Sequence, residues 1–183
     1  AIMPAKLNYD FEDYFKLELL DGYGITETST MVTMNWSGKE RNMGSCGLPL
    51  PGMSVRIVND NDLDVKPGEE GELICRGPNV MIGYHKKENE TDKILKNGWY
   101  YTGDLAKQDL NGFITITGRL KEIIIRGGQN ISPTEVEEAI LKNSKILDCA
   151  VVGLKHSELG EIPAAFVILK AVSYTHLTLP TNS

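Results

Sequence analysis

Short segments with regular apolar spacing, separated by turn residues, occupy the middle of this 183-residue chain and restrict its fold most strongly. Residues 53–58, 71–77 and 114–117 each have the length and the apolar spacing of a β-strand. Glycine and proline residues at 47–52 supply a turn before the first of these segments. A series of short strands with close turns predicts a small β-barrel or sandwich over about residues 47–117.

A second pattern follows residue 118, where the composition changes. Ser132 at the N-cap, Pro133 at the first helical position and Glu135 three residues after the cap predict a helix that begins with a capping box. Such a cap stabilises a helix by about 1 kcal/mol. The three strands predicted around this helix, two of them buried, are residues 122–125, 148–154 and 162–169. One helix with three strands predicts a small α+β domain over residues 122–170.

Three further stretches complete the secondary-structure prediction. Residues 8–20 place apolar side chains on one face and predict a short amphipathic helix or a helix that runs into a strand. Residues 28–37 are rich in Ser, Thr and Met without a clean period, which predicts a loop. Residues 171–183 contain no Lys, Arg, Asp or Glu, and we interpret them as unrelated sequence added by cloning or assembly.

Composition excludes several classes of function. The formal charge of -6 argues against a surface for nucleic acid or anionic membranes, because no basic run offsets the repulsion. No apolar run reaches the roughly 18 residues of a membrane helix, and residues 1–4 lack the layout of a signal peptide, so we expect a cytoplasmic protein. Cys46, Cys75 and Cys149 lie far apart without a CxxC pair, which predicts reduced, buried thiols and no metal cluster.

The segment Asp-Gly-Tyr-Gly-Ile-Thr-Glu at residues 21–27 combines groups that suit a nucleotide. Glycines let a ligand approach the backbone and permit unusual φ values, while the tyrosine ring offers a stacking face and the second carboxylate can hold a metal. Taken alone, the segment is more typical of a tight turn with a solvated carboxylate. Asp104, which follows an aromatic run, is likewise more typical of a residue that caps a turn.

Four motifs taken together resemble the adenylate-forming enzymes, which include acyl-CoA synthetases, amino-acid-activating domains of peptide synthetases and beetle luciferases. The motifs are Gly22-Tyr23-Gly24-Ile25-Thr26-Glu27, Gly71-Glu72-Leu73 through Gly83-Tyr84, Tyr101-Thr102-Gly103-Asp104, and Gly118-Arg119-Leu120-Lys121 with Gly127-Gly128 and Ser132 to Glu137. The match covers about residues 1–170 and is most like acyl-CoA synthetases. It implies an α+β fold: the end of a large domain at 1–118 with the barrel-like subdomain, a hinge at 119–121, and the small C-terminal domain.

The resemblance also implies a reaction in two steps. A carboxylate attacks the α-phosphate of ATP to give acyl-AMP and pyrophosphate, and the thiol of coenzyme A then displaces AMP. The implied cofactors are ATP, Mg²⁺ and coenzyme A, with a small carboxylic acid as the other substrate. Luciferase-like oxygenation, a peptide-synthetase-type domain and a non-catalytic nucleotide- or protein-binding module are the alternatives, and the sequence does not identify the acid or the oligomeric state.

Roles for individual residues follow from their positions in the motifs. Asp21 would accept a hydrogen bond from the adenine amino group, and Tyr23 would stack on the ring beside Gly22. Thr26 would donate to the α-phosphate, and Glu27 would hold Mg²⁺, so these two are the implied catalytic residues. Residues 28–36 would form one wall of the acyl pocket.

The remaining implied roles lie later in the chain. Asp104 would accept hydrogen bonds from both ribose hydroxyls, and Arg119 would add a donor at the ribose. Lys121 would lie in the hinge about which the small domain swings. Gly127 and Gly128 would line the tunnel for the pantetheine arm of coenzyme A, although an ordinary turn between a strand and a helix also explains them.

Two features of the family have no match here, namely a phosphate loop ending in Pro-Lys-Gly and a lysine near the C-terminus that contacts the transferring phosphate. The sequence therefore resembles a fragment, and we expect the isolated 183 residues not to catalyse adenylation. ATP–pyrophosphate exchange with a panel of carboxylic acids measures this directly. Exchange above background with any acid would contradict the expectation.

Overall fold

The computed structural model describes residues 5–170, and the chain divides into two compact units between Lys121 and Glu122. Antiparallel sheets dominate both units, with short helices beside them, so the predicted α+β class is confirmed. Among residues 5–170, no helix is long and apolar enough to cross a bilayer. The predicted added sequence at 171–183 lies outside the described residues.

The first unit begins with a helix and a three-stranded antiparallel sheet. Its elements are α1 (Ala5–Phe15), β1 (Gly22–Ile25), a 3₁₀ turn (Thr26–Thr28), β2 (Thr30–Met34) and β3 (Leu48–Pro49). The prediction of a loop over residues 28–37 is wrong, because β2 lies at the centre of this sheet with Val32 and Thr33 fully buried. The threonine and methionine residues of β2 do not alternate between apolar and polar, so the sequence pattern did not indicate a strand, although threonine is a good strand former.

Gly24 is required by the approach of β1 to β2. A Cβ atom at Gly24 would lie 1.6 Å from the backbone oxygen of Thr30, at a point where the register between the two strands shifts. The missing side chain therefore makes room for the chain's own backbone. Gly24 is outside the left-handed φ region, so the unusual φ that the sequence suggested is not the reason for this glycine.

A second antiparallel sheet of five strands, curled as a half-barrel, follows in the first unit. Its elements are β4 (Ser54–Val58), β5 (Glu70–Arg76), α2 (Glu88–Ile94), β6 (Leu95–Lys96), β7 (Trp99–Gln108) and β8 (Ile114–Arg119). On one side β7 pairs with β5. On its other side it pairs first with β6, at Trp99 and Tyr100, and then with β8, from Asp104 onward.

One buried cluster joins the two sheets of the first unit. Its members are apolar side chains from both sheets: Val32, Ile57, Leu73, Cys75, Tyr100, Ala106 and Ile114. Burial of an aliphatic side chain of this size contributes about 1.5–3 kcal/mol. Cys75 is buried as predicted, whereas Cys46 and Cys149 are partly exposed, so the expectation of three buried thiols is wrong for two of them.

The second unit contains one four-stranded antiparallel sheet in the order β10-β9-β12-β11. Its elements are β9 (Ile124–Arg126), β10 (Gln129–Ile131), α3 (Pro133–Leu141), β11 (Ile146–His156) and β12 (Gly160–Leu169). Gly127 and Gly128 connect β9 to β10 with φ values of 56° and 82°. Two positive φ values are typical of a type I′ hairpin turn, and the expected connection from strand to helix therefore holds one more strand, β10.

The predicted start of α3 agrees with the structure. The Ser132 side chain accepts a hydrogen bond from the Glu135 backbone N–H at 3.5 Å, and proline stands in the first turn. The two strands after the helix are present, but the prediction that they are buried is wrong. Val151 is buried, whereas Leu154 and Phe166 are exposed. An apolar run predicts a strand without specifying what covers it.

We expect Ile114→Ala to reduce the free energy of unfolding of the first unit by about 2–5 kcal/mol, because Ile114 is 0% exposed and its loss leaves a cavity. Ile82→Ala is the matched control, since Ile82 is 100% exposed and its change should stay within about 0.5 kcal/mol. Urea unfolding followed by the fluorescence of Trp36 and Trp99, both in the first unit, measures the difference. Equal losses in the two variants would contradict the assignment of the core.

Candidate functional site

The carboxylate of Asp104 is the centre of the candidate site. It is 3% exposed, and each of its oxygens accepts a hydrogen bond from a different strand. The Tyr23 hydroxyl donates to Oδ2 at 2.6 Å, and the Arg119 Nε donates to Oδ1 at 2.6 Å. The structure thus brings together three of the residues that the sequence singled out, from β1, β7 and β8.

Strand pairing explains why Arg119 reaches Asp104. The two residues are directly opposite each other in the β7–β8 ladder. The Asp104 side chain is 5% exposed and the Arg119 side chain 55%, so the pair has a buried negative end and a solvent-facing positive end. Solvent screens the exposed guanidinium, and the pair is therefore a device for orientation more than a large source of stability.

Tyr23 supplies a neutral donor to the same carboxylate. Burial, and then the hydrogen bond to Asp104, raise the pKa of the Tyr23 phenol well above its ordinary value. A phenol with a raised pKa stays protonated at neutral pH and keeps donating. The hydroxyl end of Tyr23 is therefore fixed in position, and its ring is partly buried in β1.

Glu27 lies on the 3₁₀ turn after β1, next to the exposed Thr26. Its Oε1 accepts a hydrogen bond from the Tyr84 hydroxyl at 2.7 Å, and its backbone oxygen accepts one from the Met81 N–H at 2.8 Å. The hydrogen bond to Glu27 is the main reason that the pKa of Tyr84 is raised. The segment that carries Tyr84 belongs to a motif found in the sequence, but its contact with Glu27 could not be inferred from spacing.

A magnesium ion would find a suitable but incomplete set of ligands here. Within residues 5–170, no cluster of three or more His, Cys, Asp or Glu side chains could hold a metal ion. Mg²⁺ is commonly held by one or two carboxylates together with substrate phosphates and water. A single carboxylate, that of Glu27, is sufficient for such an arrangement when phosphates and water supply the other ligands.

Asp21 is held separately from the Asp104 cluster. Its buried carboxylate accepts a hydrogen bond from the Asn8 side chain, and its backbone oxygen accepts one from the Asn35 N–H at 2.8 Å. Asn8 lies on α1 and is itself buried. Sequence reasoning missed Asn8, because a single asparagine in an amphipathic helix gives no signal of such a contact.

Thr102 is a second residue whose role was missed. Its hydroxyl donates to the Leu73 backbone oxygen at 2.7 Å and accepts a hydrogen bond from the Asp104 N–H at 3.0 Å. Thr102 therefore ties the backbone of Asp104 to β5. Its place two residues before Asp104 in a motif was the available signal.

The other predicted residues lie at or beyond the boundary between the units. Lys121 is exposed in a short 3₁₀ turn (Leu120–Glu122) at the end of the first unit. Gly127 and Gly128 belong to the second unit, where the Gly127 N–H donates to the Leu159 backbone oxygen at 2.8 Å.

Comparison with known proteins identifies the family on both sides of this boundary. The AMP-binding enzyme family matches residues 1–85, and the AMP-binding enzyme C-terminal domain matches residues 135–180. A long-chain-fatty-acid–CoA ligase of Escherichia coli O157:H7 is 40% identical over 163 residues, which are 89% of this chain and 29% of that protein. A medium-chain fatty-acid–CoA ligase of Escherichia coli K12 is 43% identical over 157 residues, 85% of this chain and 28% of that protein.

Solved structures agree with these relatives. ATP-bound MatB from Rhodopseudomonas palustris matches with a TM-score of 0.87 and 32% identity, over 93% of this chain and 34% of that one. The o-succinylbenzoate CoA synthetase of Bacillus subtilis, in complex with its acyl-adenylate, matches with a TM-score of 0.83 and 31% identity, over 94% and 35%. The chain spans less than a third of the length of the two ligases named above. On the combined agreement of motifs, fold and relatives, the chain belongs to the AMP-binding, adenylate-forming enzyme family.

Proposed function

We propose that the protein that contains this chain is an AMP-forming acyl-CoA synthetase. A carboxylic acid would attack the α-phosphate of ATP, forming acyl-AMP and releasing pyrophosphate. The thiol of coenzyme A would then attack the acyl carbon and release AMP. The convergence of Tyr23 and Arg119 on the buried Asp104 carries this proposal, because it provides a fixed acceptor for a sugar inside a known nucleotide-binding family.

Asp104 would accept hydrogen bonds from both ribose hydroxyls. A carboxylate oxygen offers two lone pairs, and Tyr23 and Arg119 occupy one on each oxygen. The second lone pair on each oxygen would then serve a ribose hydroxyl, in hydrogen bonds strengthened by the charge of the carboxylate. Arg119 would place its guanidinium beside the same sugar.

Residues 21–23, which lie much earlier in the chain than Asp104, would bind the adenine of the nucleotide. The ring of Tyr23 would stack on adenine while its hydroxyl stays on Asp104, and Asp21 would accept from the adenine amino group with Gly22 beside it. Such stacking contributes about 1–3 kcal/mol per base. This role for Asp21 requires its carboxylate to serve adenine as well as Asn8.

The 3₁₀ turn would face the reacting phosphate. The exposed Thr26 hydroxyl would donate to the α-phosphate, and Glu27, oriented by Tyr84, would hold Mg²⁺. Bound Mg²⁺ neutralises the negative charge that builds on phosphate during the transfer. Fixed donors aimed at that charge lower the barrier because they need no reorganisation during the reaction.

The second half-reaction would involve the second unit. The turn at Gly127 and Gly128 presents bare backbone, and a Cβ atom at Gly128 would meet no other atom within 4 Å. That space is compatible with the passage of the pantetheine arm of coenzyme A. Lys121 would belong to the hinge, since the chain divides immediately after it.

The substrate would be a carboxylic acid, a class supported by relatives named for medium- and long-chain fatty acids and for 2-succinylbenzoate. Residues 28–36 were expected to form a wall of its pocket. Val32 and Thr33 of that segment are buried in the sheet, so the exposed Thr30 and Trp36 are the better candidates for contact with the acyl group. The cytoplasmic location stays a prediction.

We expect Asp104→Asn to weaken the binding of AMP to the full-length protein by about 10–100-fold, the loss typical of hydrogen bonds to a charged group. NMR titration measures the dissociation constants, and Asp60→Asn, on an exposed turn, is the matched control that should bind like the wild type. The wild type should also bind AMP more tightly than 2′,3′-dideoxy-AMP, and Asp104→Asn should lose this preference. An unchanged preference in a folded Asp104→Asn variant would contradict the ribose role.

The full-length protein should release AMP only when a carboxylic acid, ATP, Mg²⁺ and coenzyme A are all supplied, as followed by a coupled assay for AMP. Glu27→Gln should raise the Mg²⁺ concentration for half-maximal rate by at least about 10-fold, a loss seen even for groups that only orient metal ligands. Glu88→Gln, at the exposed start of α2, is the control for loss of a carboxylate. AMP release that needs no carboxylic acid or no coenzyme A would refute the proposed reaction.

A further inference from the structure

Asp104 lies on a bulge in β7. The β5–β7 ladder pairs Glu72 with Leu105 and then resumes at Ile74 with Tyr101. Between these pairs β5 contributes one residue, Leu73, whereas β7 contributes three. The extra length lifts the segment 102–104 out of the regular ladder. A bulge re-aims the side chains that it carries, here the carboxylate of Asp104.

Side chains replace the ladder at this bulge. The Gly103 N–H donates to Oε1 of Glu72 at 2.9 Å, and the Asp104 N–H donates to the Thr102 hydroxyl. Gly103 has a φ of 71°, the left-handed conformation that lets the segment turn outward. The orientation of the Asp104 side chain therefore depends on the hydrogen bonds of the Gly103 and Asp104 N–H groups, as well as on the contacts with Tyr23 and Arg119.

Glu72 occupies a costly position for a carboxylate. Burial raises the pKa of Glu72 above its ordinary value, and the negative charges of Asp62 and Asp104 act in the same direction, against the hydrogen bond from Gly103 and the charge of Lys96. The hydrogen bond to the Gly103 N–H is the contact that favours a carboxylate at this place.

We propose that Glu72 is a positioning residue for ribose recognition, which holds the bulge of β7 through Gly103 so that Asp104 faces the sugar. This inference rests on the proposed role of Asp104. Glu72 acts at a distance of one peptide unit and makes no contact with the ligand itself. Its removal should therefore weaken those ligand contacts that Asp104 makes and leave the others unchanged.

The experiment compares AMP with 2′,3′-dideoxy-AMP by NMR titration of the full-length protein. The wild type should prefer AMP by at least about 10-fold, as expected for two hydrogen bonds to a charged acceptor. Glu72→Ala should reduce this preference to about twofold or less and leave the affinity for 2′,3′-dideoxy-AMP within about twofold of the wild type. A merely structural role would instead lower both affinities by the same factor, and that result would overturn the proposal.

Three further variants distinguish the hydrogen bond from Gly103 to residue 72, the negative charge of residue 72, and the loss of any carboxylate from β5. Glu72→Gln keeps an acceptor at the same distance and should retain most of the preference, whereas Glu72→Asp keeps the charge but is too short to reach the Gly103 N–H and should lose it. The reverse order would overturn the proposal. Glu70→Ala, two residues earlier on β5, removes a carboxylate bonded only weakly, at 4.0 Å, to Lys107 and should leave the preference unchanged. These variants decide the matter even if Glu72→Ala does not fold.

The outcome also separates this inference from the proposed function. If Asp104→Asn abolishes the preference for AMP but the Glu72 variants do not alter it, Glu72 has no positioning role while the ribose site stands. If the wild type shows no preference, or binds no AMP, both proposals fail together. Loss of the preference in Asp104→Asn, Glu72→Ala and Glu72→Asp, with retention in Glu72→Gln and Glu70→Ala, supports both.

Discussion

The burial of one carboxylate is the constraint on which the rest of the first unit depends. An ion removed from water costs several kcal/mol unless hydrogen bonds compensate it, and Asp104 receives them from two other strands. Tyr23 belongs to the three-stranded sheet and Arg119 to the five-stranded sheet. The compensation therefore exists only when both sheets are packed together. The same apolar cluster that joins the sheets also assembles the polar site.

The sequence predicted best where the cause of a structure is local. The start of α3 depends on a few adjacent residues, among them Ser132 and Pro133, and the structure agrees with it. Strand β2 was missed because its evidence is its neighbours in the sheet, β1 and β3, which a window of sequence does not contain. The exposed faces of β11 and β12 have the same explanation, since exposure is a property of what packs nearby.

The residues of the candidate site also divide into those that the sequence could identify and those that depend on non-local contacts. Tyr23, Asp104 and Arg119 were identified because they stand in motifs of a known family, and their meeting at one carboxylate required coordinates. Asn8 stands in no motif, and the motif that contains Thr102 does not describe the contacts through which Thr102 acts. The sequence analysis singled out Gly24 as room for a ligand. In the structure, the space beside Gly24 accommodates the backbone of Thr30.

The change of partner along β7, from β6 to β8, has an evolutionary consequence. Ladder hydrogen bonds join backbone to backbone and are nearly indifferent to side-chain identity, so a regular strand tolerates many sequences. Tyr100 is the last residue of β7 that pairs with β6, and Asp104 is the first that pairs with β8. At this junction the N–H groups of Gly103 and Asp104 donate to the side chains of Glu72 and Thr102 instead. The backbone geometry at this junction therefore depends on the identity of individual side chains. Single substitutions can retune the angle of Asp104 while the surrounding half-barrel stays the same.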